Sequence, residues 1–136
     1  DAPCPFGDGT LGAALLEPTR IYVAAALALT RRAGAAGFAH VTGGGLTENV
    51  PRMLPEGLAA EIALSAWTPP PLFGWLAEAG GVAPEEMRRT FNMGLGLVAC
   101  VPEPRAEEAL EIAAEAGERA VRIGRVVEGA GVRFVP

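Results

Sequence analysis

Segments with helical and strand character alternate along nearly the whole chain, and glycine or proline separates most of them. Apolar periodicity and composition predict helices over residues 18–33, 46–55, 72–81, 84–89 and 103–116. Runs rich in Val, Leu, Ile and Ala predict strands over residues 38–42, 58–64, 95–101, 120–127 and 132–135. This alternation favours a mixed sheet covered by helices, which is an α/β or α+β sandwich.

The two ends of the chain carry more specific predictions. Residues 1–16 contain several prolines and glycines and are predicted to form an irregular lead-in or interdomain linker, which leaves residues 17–136 as one domain. The chain begins with Asp1 and not with Met, so we expect Asp1 to be an interior residue of a longer protein. The last two strands are predicted to form a hairpin that turns at residues 129–131.

The charged residues exclude several kinds of chemistry. All eleven basic residues are arginine, so mechanisms that need a lysine, such as a Walker lysine or a Schiff base, have no candidate here. Asp1 and Asp8 are the only aspartates, which leaves little material for a magnesium site. The formal net charge of -5 without a basic stripe argues against nucleic acid as a partner. The longest apolar stretch, residues 21–29, is far shorter than the roughly 20 residues of a membrane span.

Cysteine and histidine are scarce. Cys4 and Cys100 lie far apart and form no CxxC motif, so neither a disulfide nor a zinc site is expected, and a reduced cytoplasmic protein is predicted. A single histidine, His40, argues against a multi-histidine metal centre, and no metal site is predicted.

Three consecutive glycines follow the predicted strand 38–42 and precede a helix. Such a turn can converge backbone N–H groups on a phosphate, or it can simply make a tight turn, and the spacing favours neither reading. His40 and Thr42 should share one face of the strand, where His40 could act as a general acid or base or as a hydrogen-bonded structural residue. Thr47 is a candidate helix N-cap, and Arg52 could reach an anion or remain solvated.

Two further groups of residues are candidates for either a functional or a structural role. Asn92, in a polar elbow before a predicted buried strand, could orient a substrate amide, but a turn closed by its own side chain is the favoured interpretation. Trp67, Phe73 and Trp75 flank a proline turn and are predicted to belong to the core or an interface and not to a stacking platform.

Four segments carry a resemblance to a known family: LLEPTRIYV (15–23), FAHVTGGGLTENVPRMLP (38–55), WTPPPLFGWLAEAGGV (67–82) and EEMRRTFNMGLGLVACVP (85–102). In this order they resemble the C-terminal half of phosphoribosylformylglycinamidine cyclo-ligase, also called aminoimidazole ribonucleotide (AIR) synthetase. The resemblance covers residues 11–128, while residues 1–10 and 129–136 match no motif and are interpreted as linker and tail.

Several relatives share this architecture and stay open as alternatives. They are formylglycinamidine synthetase, selenophosphate synthetase, thiamine-phosphate kinase and a hydrogenase maturation protein. The TFNMG and TENVPR blocks favour the cyclo-ligase among them. A non-catalytic phosphate-binding or assembly domain is the alternative from a different class.

The resemblance implies a three-layer α/β/α domain that closes over the substrate formylglycinamidine ribonucleotide (FGAM). It further implies a homodimeric, two-domain cyclo-ligase of purine biosynthesis, whose N-terminal domain, absent from this chain, holds ATP and Mg²⁺. The isolated chain should then be inactive. The resemblance makes His40 the candidate catalytic residue, and it assigns substrate or phosphate binding to Thr42, Gly43, Gly44, Gly45, Asn49, Arg52 and Asn92.

Overall fold

The computed structural model describes residues 2–136, which contain six α-helices and five β-strands joined by loops and short 3-10 or π-helical turns. In chain order they are α1 (Leu11–Leu15), α2 (Val23–Ala28), β1 (Gly37–His40), α3 (Gly45–Asn49), β2 (Leu58–Ala63), α4 (Pro71–Gly80), α5 (Pro84–Thr90), β3 (Leu97–Cys100), α6 (Ala106–Glu115), β4 (Gly124–Glu128) and β5 (Gly131–Val135). The predicted α+β class is therefore confirmed. No helix within residues 2–136 is long and apolar enough to cross a membrane.

The strands form two sheets. β1 and β3 pair antiparallel, with Gly37 opposite Cys100 and His40 opposite Leu97. The other three strands have the order β4-β2-β5, in which β2 is antiparallel to β4 and parallel to β5. This second sheet is the mixed sheet that the sequence predicted.

The predicted hairpin between the last two strands is wrong, because β2 lies between them. The backbone N–H of Gly129 donates to the carbonyl of Gly57, just before β2, at 2.9 Å. The loop after β4 therefore crosses the end of β2 and does not fold back on β4. As a consequence β5 is part of the sheet, and residues 131–135 are not a tail.

A charged cross-strand cluster matches this strand order. Glu61, on the central strand, lies in register with Arg125 on one neighbour and Arg133 on the other. Its carboxylate is 2.7 Å from the Arg125 guanidinium and 3.5 Å from that of Arg133. A single acidic side chain between two basic ones favours this alignment over a slipped register.

The N-terminal region differs most from the sequence prediction. The lead-in contains helix α1, whose N-cap is Thr10, with its hydroxyl accepting from the Ala13 N–H at 3.2 Å. The helix predicted from residue 18 begins only at Val23, and its last turn, Leu29–Ala33, is π-helical. Gly34 ends it in the left-handed conformation, as predicted.

Two clusters form the core. One packs beneath the glycine turn and contains Ala39, Val41, Leu46, Val50, Ala60 and Ile62. The other joins the end of α2 to α6 through Leu29, Ala33, Ala109 and Ile112. Ala109, Ile112 and Ala113 are buried while the glutamates of α6 face solvent, which confirms the predicted amphipathic face. The glycine turn is thus supported from below by a packed core.

Candidate functional site

His40, the last residue of β1, and Thr42, two residues beyond it, are both exposed. Burial alternates from Ala39 to Thr42, with Ala39 and Val41 buried and the other two exposed. The predicted common face for His40 and Thr42 is therefore confirmed. The predicted cap is wrong: α3 begins at Gly45 with Gly44 as its N-cap, so Thr47 lies inside the helix.

The three positions of the turn differ in whether, and why, the structure requires glycine there. Gly44 and Gly45 have φ values of 93° and 55°, which favour glycine. A Cβ on Gly45 would lie 2.7 Å from the Phe91 carbonyl oxygen and closer still to that of Arg88. Gly43 has neither constraint, since no atom lies within 4 Å of an added Cβ. Two glycines therefore shape the turn, whereas Gly43 leaves open space above it.

Asn49 holds the turn from inside. It is 4% exposed and is the one fully buried polar residue among residues 2–136. Its Nδ2 donates to the carbonyls of Gly45, Gly43 and Thr42 at 2.8, 3.1 and 3.4 Å. Its Oδ1 accepts from Arg52 at 3.2 Å. Both ends of the Asn49 amide are thus used within the protein, and Arg52 is partly committed to it.

The second motif forms an elbow after α5. Asn92 Oδ1 accepts from the Gly94 N–H at 2.9 Å, so the side chain closes its own turn, as the favoured interpretation predicted. Met93 has a φ of 53°, and its carbonyl accepts from Trp67 Nε1 at 3.0 Å. Pro70 packs against Gly94, where a Cβ would meet its ring. The elbow is therefore fixed from outside by the segment before α4.

The two motifs meet in one shallow pocket of about 230 Å³. The residues that line it are Val41, Thr42, Gly43, Phe73, Thr90, Phe91 and Asn92. The Phe73 and Phe91 rings lie 6.2 Å apart and give the pocket an aromatic wall, while two threonines and one asparagine supply polar groups. Sequence reasoning missed Phe73 as a site residue, because an aromatic residue in an amphipathic helix is more often part of the core.

Other predicted site residues lie outside this lining. Gly44, Gly45 and Asn49 are behind it, and neither Arg52 nor His40 contributes to the wall. No charged side chain lines the pocket within the described part of the chain. The pocket is therefore suited to uncharged polar groups, and an anion would need the backbone N–H groups of the turn.

His40 lies beside the pocket, exposed, with its ring edge-on to that of Tyr22 at a centroid distance of 6.0 Å. Tyr22 was not among the predicted site residues. Partial burial, and then the nearby Glu118 carboxylate, raise the pKa of Tyr22 above its usual value.

A larger cavity of about 460 Å³ separates the two sheets. Its walls include β3, part of β4, and the small residues Ala106, Ala109 and Ala113 of α6. Residues 2–136 contain no group of three His, Cys, Asp or Glu placed to hold a metal ion, in this cavity or elsewhere. Tyr22 and Gly96 also line this cavity, together with charged residues such as Glu61 and Glu118. No residue of the HVTGGG or RTFNMG blocks lines it, whereas both blocks line the pocket beside the glycine turn, which is therefore the better candidate site.

Comparison with solved structures identifies the fold. Two crystal structures of HypE from E. coli, one described as a hydrogenase maturation protein, are each 26% identical to this chain with a TM-score of 0.64. The matches cover 84% and 85% of this chain but 35% of each HypE chain. This chain therefore spans about a third of the length of the HypE chains that it matches.

A family model gives the most extensive match. The model described as AIR synthase related protein, C-terminal domain, matches residues 1–135. The match includes both motifs of the pocket as well as the first ten residues and the last strand, which carried no recognised motif. The chain belongs to the family of AIR synthase related proteins, as their C-terminal domain.

Proposed function

We propose that this chain is the C-terminal domain of a phosphoribosylformylglycinamidine cyclo-ligase, which closes FGAM to aminoimidazole ribonucleotide with hydrolysis of ATP. The observation that carries the proposal is the shared pocket. The HVTGGG and RTFNMG blocks are about 45 residues apart in sequence, yet Thr42, Gly43, Thr90 and Asn92 line one cavity. Convergence of the two blocks that carry the resemblance supports a common role in binding the same substrate.

The proposed roles follow from the geometry. Thr42, Gly43 and Asn92 contact the substrate, and the Asn92 Nδ2 group, which has no hydrogen-bond partner within residues 2–136, is a donor available to it. The backbone N–H groups of Gly43 and Gly44 donate to no backbone carbonyl in the described chain, so they could hold a phosphate or phosphoryl oxygen. Gly45 and Asn49 keep these groups in place. His40 transfers a proton as the internal nitrogen attacks the formyl carbon.

The chain's own residues do not fit an ATP and magnesium site. It has no lysine, and Asp8 is the one aspartate among residues 2–136. We therefore propose that ATP and Mg²⁺ bind to an N-terminal domain of the full-length protein. Bound there, ATP supplies the activation of the formyl oxygen.

We also propose that this domain has a docking surface for its N-terminal domain or for a second subunit of a homodimer. Large apolar side chains near α1 and α2 are unusually exposed, among them Leu16 at 81% and Ile21 at 84%. Exposed apolar side chains so close together in the sequence support burial against another protein surface.

Cys4 and Cys100 are both free thiols, which supports a reducing, cytoplasmic location.

The test is made on the full-length protein that carries this chain. Incubation with FGAM and MgATP should give ADP and aminoimidazole ribonucleotide in equal amounts. His40→Asn should lower kcat by about a hundredfold or more, the scale of a lost proton-transfer group. Its fold should be intact because the side chain is exposed. Turnover that survives this substitution would return His40 to a structural role.

Gly43 allows a matched comparison. Gly43→Ala and Gly74→Ala both place a methyl group where no atom lies within 4 Å, so neither should disturb folding. The Gly43 methyl would project at the pocket, and kcat/KM for FGAM should fall. Gly74→Ala, on the exposed surface of α4, should leave kcat/KM unchanged. Equal activity of the two variants would remove Gly43 from the substrate surface.

A second candidate function comes from the names of the similar structures. The two similar structures are of HypE, so a role in hydrogenase maturation is the alternative. The same assay separates the two, because only the cyclo-ligase should release ADP in a manner that depends on FGAM. ADP release that is unaffected by FGAM would contradict the proposed function.

A further inference from the structure

Three separate segments of the chain meet at one point beside the candidate site. Tyr22 comes from the TRIYV segment, His40 from the HVTGGG block, and Gly96 from the end of the RTFNMGLG block. The rings of Tyr22 and His40 lie edge-on at 6.0 Å. The proposed function uses Ile21 of the TRIYV segment in a docking surface and assigns no role to Tyr22.

The Tyr22 ring packs directly against Gly96. Its φ is not left-handed, so the backbone conformation does not demand glycine. A Cβ at Gly96 would instead lie 2.8 Å from Tyr22 Cζ and closer still to the hydroxyl. The Gly96 carbonyl accepts from the Val41 N–H at 2.9 Å. Gly96 therefore lies next to His40, where β1 pairs with β3. The glycine at 96 is therefore explained by the aromatic ring that covers it.

The segment that carries Tyr22 is held at its other side. Arg20 Nε lies 3.2 Å from the Glu118 carboxylate, and its Nη2 donates to the Gly117 carbonyl at 3.4 Å. These contacts attach residues 20–22 to the end of α6 and explain why the helix starts late. Tyr22 is thus fixed between an ion pair and a glycine. Its hydroxyl makes no hydrogen bond within the described residues.

We propose that Tyr22 is a positioning residue for His40: its ring restricts the imidazole to the exposed face that His40 shares with Thr42. The catalytic consequence rests on the proposed function, whereas the positioning itself can be measured without any substrate. An edge-on contact between two rings favours one relative orientation of them. Misplacement of a reacting group by about 1 Å can cost about a hundredfold in rate.

The first experiment uses the ring-proton NMR signals of His40. They are unambiguous because the chain has one histidine. Tyr22→Leu removes the neighbouring ring current and should shift both signals, whereas Tyr22→Phe keeps the ring and should leave them close to wild type. Gly96→Ala should shift them too, because its methyl displaces the end of the Tyr22 side chain. Thr19→Ala, on the same segment but exposed, is the control and should shift neither.

The outcomes are distinguishable. Unchanged His40 signals in folded Tyr22→Leu would overturn the proposal, and if that variant does not fold, unchanged signals in Gly96→Ala would overturn it equally. In the full-length protein, Tyr22→Leu and Gly96→Ala should lower kcat for FGAM between about tenfold and a hundredfold with less effect on KM, and Tyr22→Phe should retain more activity than Tyr22→Leu. Wild-type kcat in Tyr22→Leu would also overturn the catalytic part. If wild-type protein turns over no FGAM, the proposed function fails while the NMR result still decides the positioning.

Discussion

Replacement of Asn49 tests whether this residue stabilises the glycine turn or binds a ligand. Asn49→Ala removes all three hydrogen bonds from Nδ2 to the turn. The bonds to Gly45 and Gly43, at 2.8 and 3.1 Å, have good lengths, whereas the 3.4 Å bond to Thr42 is marginal. Two effective bonds contribute about 1 kcal/mol each to the free energy of unfolding.

Because Asn49 is buried, its truncation also removes packing contacts and lowers the free energy of unfolding further. The smaller side chain leaves a void beneath the turn, next to the core residues Leu46 and Val50. With this packing loss included, the total loss should be about 2 to 3 kcal/mol. For a chain of this size that corresponds to a fall in Tm of roughly 6 to 10 °C.

The assay is urea unfolding followed by tryptophan fluorescence, with thermal melting as a second measure. Asn92→Ala is the matched control, because it loses one hydrogen bond at a less buried position and should cost about 1 kcal/mol or less. Asn49→Asp should be worse than Asn49→Ala at neutral pH, since a carboxylate would face three carbonyl oxygens. Stability of Asn49→Ala within about 0.5 kcal/mol of wild type would refute the structural role, because ordinary surface substitutions fall in that range.

Three further predictions follow from particular contacts. Gly45→Ala should lower the free energy of unfolding by about 3 kcal/mol or more, because φ at this position is left-handed and the new methyl group would clash with backbone carbonyls. Gly43→Ala should change the free energy of unfolding by no more than about 0.5 kcal/mol. Equal stabilities of the two variants in urea unfolding would contradict this prediction. Hydrogen bonds from Arg32 and Arg105 lower the pKa of Glu115 and Glu108 below the usual 4.5, so their contribution to stability is complete above that pH and is lost as pH falls through the lowered values. Melting curves between pH 6 and pH 3 should therefore show a shallower decline for Glu115→Gln than for wild type or the control Glu107→Gln. Glu61→Arg should lower Tm more than Glu61→Gln, because it places three basic groups in one cross-strand row.

Local patterns predicted the parts of this fold that depend on neighbouring residues. The alternation of segments predicted the α+β class, and the period of two along the predicted strand 38–42 placed His40 and Thr42 on one face. The spacing of alanine and isoleucine in α6 predicted its buried face correctly. Each of these properties is set within a few residues by backbone geometry, so the sequence carries it directly.

The predictions from sequence were wrong where long-range contacts overrode the local preference of the backbone for a hairpin or a helix. The glycines at 129 and 131 are compatible with a tight hairpin, but pairing of both flanking strands with β2 gave a wider crossing. The helix at residue 18 was delayed to Val23, because Arg20 and Tyr22 make contacts with Glu118 and Gly96 that a helical backbone would displace. Thr10 carried a capping signal that the surrounding prolines and glycines obscured.

The sequence by itself determined the class of fold, the glycine turn between a strand and a helix, and the absence of lysine chemistry. Only the tertiary structure showed that Gly45 lies against the backbone of the second motif, that Phe73 walls the pocket, and that Tyr22 reaches His40. The physical reason is that a side chain's face follows from its neighbours in sequence, whereas its partner follows from how distant elements share one core. The candidate site depends on both, because it is a local turn completed by distant residues.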